Sequence, residues 1–324
     1  MKRYRLFRAY WAACVVAFLF ALSARAHAGD TLELIFIIHE QNDSYREVIS
    51  AASAALKSQN SGIRLHTLIM DEAGAALVSD LPPAEHRLLV PIGSIAAGAI
   101  IQAKPANPVF TALVPKQTFD NIKSKMGNGA NVHALFLDQP FERQIRLAQL
   151  VRPHDLRLTA ILGPTSQHHK PALEAAAATL GQKIDIATHD NPDKLDGTLS
   201  RVLTNSNLLL AIPDPKIFNN QNVQYLFLST YRNNVPILGF SAPYVKAGAL
   251  AAVFSTTAQI GKNLAEIILD WQKSGYAAAD LRSTYPKYFT VKVNNQVARS
   301  LNLDGLNEER LHRQLMQDTG DSGQ

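Results

Sequence analysis

"VPILGFSAPYVKAGALAAVF", residues 235–254, is two short apolar runs separated by a polar turn. Val235–Phe240 and Ala249–Phe254 each have the length of a buried strand, and neither alternates apolar with polar residues. A strand that is apolar throughout is covered on both faces, which is the condition of a parallel sheet flanked by helices. The turn carries Ser241, Pro243, Tyr244, Lys246 and Gly248, so a hydroxyl, a phenol and an ammonium leave directly from a strand end.

The same pattern recurs along the chain. Strands are predicted at Leu32–Ile38, Ile63–Met70, Leu88–Ile92, Val109–Val114, Val132–Leu137, Leu158–Leu162, Lys183–Ala187, Leu208–Ile212 and Tyr288–Val293, besides the two above. Helical patterns lie between them, at Ser44–Lys57, Ser94–Gln102, Phe141–Leu150, Pro171–Leu180, Leu195–Leu203, Asn219–Arg232 and Thr257–Lys273. Regular alternation of this kind predicts an α/β, doubly wound architecture. The chain is too long for one such sheet, and the pattern is interrupted near Asp138 and Ser241. Two Rossmann-like lobes are therefore expected, with the chain crossing between them. In such sheets ligands sit in the crevice beyond the strand carboxyl ends.

The first residues predict export. Lys2, Arg3, Arg5 and Arg8 precede an uncharged apolar run, Trp11–Leu22, and Ala24-Arg25-Ala26-His27-Ala28 offers two overlapping A-x-A cleavage sites. Residues 1–28 are expected to be a secretory signal peptide and the mature chain to be periplasmic. The single cysteine, Cys14, lies at the start of the apolar run, which is not a lipobox position, and leaves no thiol in the mature chain. Without disulfides the fold rests on its apolar core. The formal net charge of +5 comes from the same segment. Residues 1–28 hold five basic residues and no acid, so the rest balances 27 basic against 27 acidic residues. That balance gives no reason to expect nucleic acid or an anionic membrane as partner. The polar end of the chain, residues 313–324, is expected to be disordered.

Polar groups at predicted strand ends are the candidate ligand-binding residues. His39 and Glu40 follow the first strand, with Ser44 and Glu47 fitting a capping box behind them. Gly93 and Ser94 open a small-residue helix whose N-terminus suits a carboxylate or phosphate, although Ser94 also reads as a plain N-cap. Thr165 and Ser166 follow Gly163 in the same layout. Asp214, between Pro213 and Pro215, could pair with a ligand ammonium or open a helix. Ser241 and Tyr244 complete the set. His168 and His169 are adjacent, and adjacent side chains diverge on a helix, so no metal is assigned to them. No P-loop, HExxH, GxGxxG or CxxC occurs. Gly239-Phe240-Ser241-Ala242-Pro243 is a poor nucleophile elbow because proline stands where the second glycine belongs. No catalytic residue, cofactor or metal is expected.

"FLDQPFERQIRLAQLVRP" (136–153), "LLLAIPDPKIFN" (208–219) and "YLFLSTYRNNVPILGFSAPYVKAGALAAVFSTTAQIGKNLAEI" (225–267) resemble the ABC-transporter substrate-binding protein family that includes tryptophan- and tyrosine-binding proteins. The resemblance runs from about Val132 to Leu303 and weakens over Thr31–Asn131. It implies a type I periplasmic binding protein, two lobes joined by a three-crossing hinge, with cleft loops around Ser94, Thr165, Asp214 and Ser241–Tyr244. The crossings are expected near Leu137–Asp138, Phe240–Ser241 and Leu281–Tyr285. The N-terminal lobe would then hold residues 29–137 and 241–281, and the C-terminal lobe residues 138–240 and 282–312. Two features depart from the family pattern: Gly93-Ser94-Ile95 stands where a Gly-Thr/Ser-Pro loop is typical, and the lipid-anchoring cysteine is missing. The implied function is capture of a small organic, amino-acid-like solute by a monomer that delivers it to an ABC permease in the inner membrane. A sensory protein on the same fold, signalling to a membrane receptor, is the alternative, and an exported hydrolase using Ser241 a distant third.

Overall fold

The computed structural model describes residues 31–320 apart from 60–61, 71–77, 79–80, 85, 127–130 and 190–194. The signal peptide expected over residues 1–28, and the last four residues of the expected disordered tail, lie outside the described residues. Contacts divide the chain into two units, Met1–Phe136 with Ile260–Thr284, and Leu137–Gln259 with Tyr285–Gln324.

The first unit holds β1 (Leu32–Ile38), α1 (Asp43–Gln59), β2 (Ile63–Ile69), β3 (Arg87–Pro91), α2 (Ser94–Gln102), β4 (Val109–Val114), α3 (Lys116–Lys123) and β5 (Val132–Phe136). Its sheet runs β2-β1-β3-β4-β5, and each neighbouring pair is parallel. The central strands are buried along almost their whole length, while β2 sits at the sheet edge with Leu68 and Ile69 exposed. Phe36 and Phe110 form the middle of the core with Val48, Ala52 and Leu56 of α1. Ile260, Leu264 and Ile268 close the same core from the helix Thr257–Lys273, called α9. Their spacing of four turns one apolar stripe of that helix inward.

The second unit holds α4 (Phe141–Val151), β6 (Leu158–Leu162), α5 (Lys170–Thr179), β7 (Ile184–Thr188), α6 (Leu195–Asn205), β8 (Leu208–Leu210), α7 (Val223–Arg232), β9 (Ile237–Gly239), α8 (Ala242–Ala247), β10 (Ala251–Phe254), β11 (Thr290–Val293), α10 (Asn295–Ser300) and α11 (Glu308–Gly320). The sheet order is β11-β10-β9-β8-β6-β7. Strand β11 is antiparallel to β10 and the other pairs are parallel.

Two sequence expectations are corrected here. Residues 241–259 belong to the second unit, because β10 pairs with β9 in one sheet, Ala251 opposite Leu238. The polar turn Ser241–Gly248 is a crossover inside one sheet, built on the short helix α8. It is not a passage between lobes. The boundaries fall after Phe136, Gln259 and Thr284, the second of them inside α9. Residues 313–320 are helical rather than disordered. Leu311 and Leu315, one helical turn apart, are buried in the second core against Ile145 and Phe289. Two buried leucines spaced by four were enough to anchor a helix whose other positions are mostly polar, and that sparse stripe is easily overlooked.

A buried arginine ties the second unit together near its three chain entries. Arg143 Nη1 donates to Gln139 Oε1 at 2.6 Å and to the Pro286 carbonyl at 2.9 Å. Its guanidinium lies 4.3 Å from the centre of the Phe289 ring. Gln139 Nε2 donates to Ser255 Oγ at 2.8 Å, which donates to the Tyr288 carbonyl at 2.6 Å. Burial pulls the Arg143 guanidinium down to about 10, still charged at neutral pH.

Truncating Leu315 tests the revised C-terminus. Leu315→Ala is expected to lower the unfolding free energy by about 2–5 kcal/mol, as for a buried leucine. Urea unfolding followed by circular dichroism measures it; a change within about 0.5 kcal/mol, the range of exposed sites, would return this segment to disorder.

Candidate functional site

In each unit the parallel strands end at one edge, and the polar residues predicted from sequence fall at those ends. The first unit brings four of them near one another. His39 follows β1, half-buried, with its Nε2 3.5 Å from Glu40 Oε1. Its ring meets Tyr45 of α1 edge-on at 5.6 Å. Gly93 follows β3 with φ 87° and ψ 161°, a conformation that only glycine adopts readily. A Cβ added there would land on the Tyr45 phenol, 2.7 Å from its Cζ. The close approach that Gly93 permits is thus to Tyr45 of the same unit, and the expectation of a ligand against its backbone is revised accordingly.

Capping differs from the sequence reading at both helices of this edge. Asn42, not Ser44, caps α1, its Oδ1 accepting from the Tyr45 N–H at 2.9 Å. This bond also fixes the backbone from which the phenol springs. Ser94 is the first residue of α2 rather than its cap; Gly93 holds that position and offers no side chain. The first intrahelical bond of α2 is from Ala97 N–H to the Gly93 carbonyl, 3.0 Å. The N–H groups of Ser94, Ile95 and Ala96 precede it, have no acceptor within the helix and show none among the described residues. Tyr45 is a residue that sequence reasoning missed. Burial pushes its phenol up, with Asn42 opposing and the Glu40 carboxylate reinforcing.

The second unit is organised around Asp214, which follows β8 by four residues and is 2% exposed. Its Oδ2 accepts from Ser166 Oγ at 2.8 Å and from the Thr165 N–H at 3.1 Å. Its Oδ1 accepts from the Lys216 N–H at 2.8 Å. Ser166 Oγ also accepts from the Gly163 N–H at 2.9 Å. A Cβ at Gly163 would lie 2.7 Å from Asp214 Oδ2, so glycine makes room for the carboxylate. Burial alone would push the Asp214 carboxyl up; the bonds from Lys216, Ser166 and Thr165 outweigh it and hold it below the ordinary 3.8. Asp214 and Ser166 therefore face inward and clasp the loops after β6 and β8 to each other. Of the four predicted residues on these loops and the next, Thr165 is exposed and Ser241 half-buried.

Tyr244 lies in α8, half-buried in an aromatic group with Phe240 at 4.3 Å, Phe227 at 6.0 Å and Phe218 at 6.2 Å. Burial pushes its phenol up to about 12. Ser241 has extended backbone, φ −161°, and its hydroxyl has no hydrogen-bond partner among the described residues. The strained turn and hydrogen-bonded base of a nucleophile elbow are not formed here. His168 and His169 do not diverge as expected: their Nε2 atoms stand 3.1 Å apart. An apolar cavity of about 560 Å³ opens elsewhere, beside Phe227, Leu228, Pro236 and Val297 at the amino end of β9, and includes none of the predicted residues.

The family profile of ABC transporter substrate binding proteins matches residues 50–314. The chain belongs to that family. Among the described residues of this ABC transporter substrate binding protein, no helix is long and apolar enough to cross a membrane. Solved structures share its type I periplasmic-binding fold. A ligand-free, open substrate binding protein with adhesive properties from Clostridium difficile matches with TM-score 0.66 at 14% identity, over 86% of this chain and 97% of that one. An ABC domain in complex with L-Trp from Streptococcus pneumonia matches with TM-score 0.53 at 16% identity, over 84% and 95%. A periplasmic ribose ABC transporter protein from Conexibacter woesei matches with TM-score 0.51 at 14% identity, over 85% and 96%. No curated protein matches the sequence.

Two substitutions test this geometry. Asp214→Asn should cost about 2–4 kcal/mol at pH 7, where charge-assisted bonds are lost. Because the folded carboxyl titrates below 3.8, its contribution is complete above that value and fades as pH falls through the lower folded one. Urea unfolding at neutral and acid pH should therefore show the two proteins converging as acid is added; a constant gap would remove the ionised clasp. Gly93→Ala should destabilise by about 1–3 kcal/mol through overpacking and the positive φ. Pairing it with Tyr45→Ala, which empties the obstructed space, should recover part of the loss, and strict additivity of the two would refute the contact.

Proposed function

We propose that this chain is the periplasmic solute-binding component of an ABC importer, taking up a small organic solute of amino-acid-like chemistry at its strand-end loops and performing no catalysis itself. The observation that carries the reading is the family match over residues 50–314, joined to polar loops at the carboxyl ends of the parallel strands in both sheets. The first unit suggests the solute class. Free N–H groups at the start of α2 favour a carboxylate. Glu40, exposed at the end of β1, complements an ammonium. Thr165 and Ser241 supply neutral donors and acceptors from the second unit, and the half-buried Tyr45 and Tyr244 rings offer apolar edges. One of the similar structures holds L-Trp and another is a ribose transporter protein, so the fold accommodates both kinds of solute. Export through a cleaved leader and delivery to an inner-membrane permease complete the proposal.

A thermal-shift screen of the purified chain against amino acids, short peptides, sugars and organic acids tests it. A solute at about a hundred times its dissociation constant should add roughly 2.7 kcal/mol to stability. Amino acids are expected to give the shift. Glu40→Gln and Ser241→Ala should then weaken binding while leaving the unliganded melting temperature unchanged. A screen with no shift for any class would count against solute capture.

A further inference from the structure

His168 and His169 lie on a single 3₁₀ turn, Gln167–His169, at the carboxyl end of β6. Their ring centres are 4.0 Å apart and their Nε2 atoms 3.1 Å, so the rings lean together at those nitrogens. Metal–imidazole bonds of about 2.0–2.1 Å spanning that gap would subtend roughly 100° at the cation, between the square-planar and tetrahedral angles. The chain passes from this 3₁₀ turn into α5 at Lys170. The edge of the His169 ring meets Phe141 at 5.4 Å, which helps orient it.

We propose that His168 and His169 form a bidentate site for a divalent transition-metal cation, Cu²⁺ foremost, with water in the remaining positions. The donor set supports that choice: imidazole nitrogens suit copper, nickel and zinc, and at a given site Cu²⁺ binds more tightly than Zn²⁺. No cluster of three or more metal-binding side chains occurs among the described residues. In the metal-free chain the 3.1 Å contact is a hydrogen bond in which one ring donates and the other accepts. Coordination needs a lone pair on both Nε2 atoms. The donating ring moves its proton to Nδ1 through solvent, and no net proton is released while both rings are neutral. The site requires no solute and stands apart from the function proposed above.

Calorimetric titration of the purified chain with Cu²⁺ in a non-chelating buffer tests it. One equivalent is expected, binding more tightly than Zn²⁺. His168→Ala and His169→Ala should each weaken it roughly tenfold or more, whereas His154→Ala, on the exposed turn after α4, should not. Paramagnetic resonance should show coupling to two imidazole nitrogens. A second measurement needs no variant: sub-stoichiometric Cu²⁺ should broaden the proton NMR signals of His168 and His169 before those of any other histidine. Wild-type affinity in either alanine variant, or prior broadening of another histidine, would overturn the site.

Discussion

A strand with no polar face has to be covered twice, and that constraint shapes both units. Leu34, Phe36 and Ile38 point to one side of β1, and Ile35 and Ile37 to the other; all five are buried. The same holds for every residue of β6. Covering both faces requires helices between successive parallel strands, and a right-handed crossover returns each strand in the same direction. All strand carboxyl ends then emerge at one edge of each sheet. Polar residues excluded from the strands collect there because the loops are the first places that can hold them. The position of the candidate site follows from the apolarity of the strands.

The two edges are built by different means. In the first unit, backbone shape governs: the positive φ of Gly93 and the missing Cβ make space for Tyr45, which Asn42 orients from the start of α1. In the second, charge governs. A buried carboxylate is costly unless its oxygens are bonded, and Asp214 collects donors from Ser166, Thr165 and Lys216. Those donors come from two loops more than forty residues apart, so satisfying one carboxylate fixes both. The residues left facing outward, Thr165 beside the clasp and Ser94 beside Gly93, stand on backbone already held in place. Such support lets a short loop present a polar group at a defined position.

The strands were legible because their apolar runs are short, continuous and bounded by turn residues. Leu158–Leu162, Val109–Val114 and Leu32–Ile38 coincide with their predicted limits. The long amphipathic helix Thr257–Lys273 was equally plain. Helices α3, α8, α10 and α11 escaped notice because each is short or carries a sparse apolar stripe. The partition of residues 241–259 was misread for a related reason: a six-residue crossover helix has too few positions to show a period, and its proline and glycine resemble a domain boundary. At the candidate site, sequence located the loops but not the directions of their side chains. That Asp214 turns inward depends on Gly163, fifty-one residues earlier, and that Tyr45 covers Gly93 depends on the pairing of β1 with β3. Neither long-range relation leaves a local pattern in the chain.

Arg143 is the strongest case of a role that no local pattern announces. It sits within an ordinary helical stretch, and the spacing of its apolar neighbours leaves it on the inner side of α4, 7% exposed. A buried guanidinium must find acceptors. Those it finds lie in the segments that flank the unit boundaries: Gln139 follows the first, and Pro286 the third. Through Gln139 the network reaches Ser255, four residues before the second boundary. At that point Thr256 and Gln259 form a reciprocal cap on α9, the Gln259 side chain accepting from the Thr256 N–H at 2.9 Å and the Thr256 hydroxyl from the Gln259 N–H at 3.2 Å. Gln259 also donates to the Phe289 carbonyl at 3.0 Å, beneath the arginine. All three chain passages are thus held by one polar network inside the second unit. The passages are far apart in sequence, and backbone pairing alone would fix only some of them. Both bonds leave from one nitrogen, Nη1, while the flat guanidinium lies over the Phe289 ring, a stacking that a lysine ammonium does not offer. The polar core of the second unit is therefore the means by which a chain that leaves and returns keeps its exits in register.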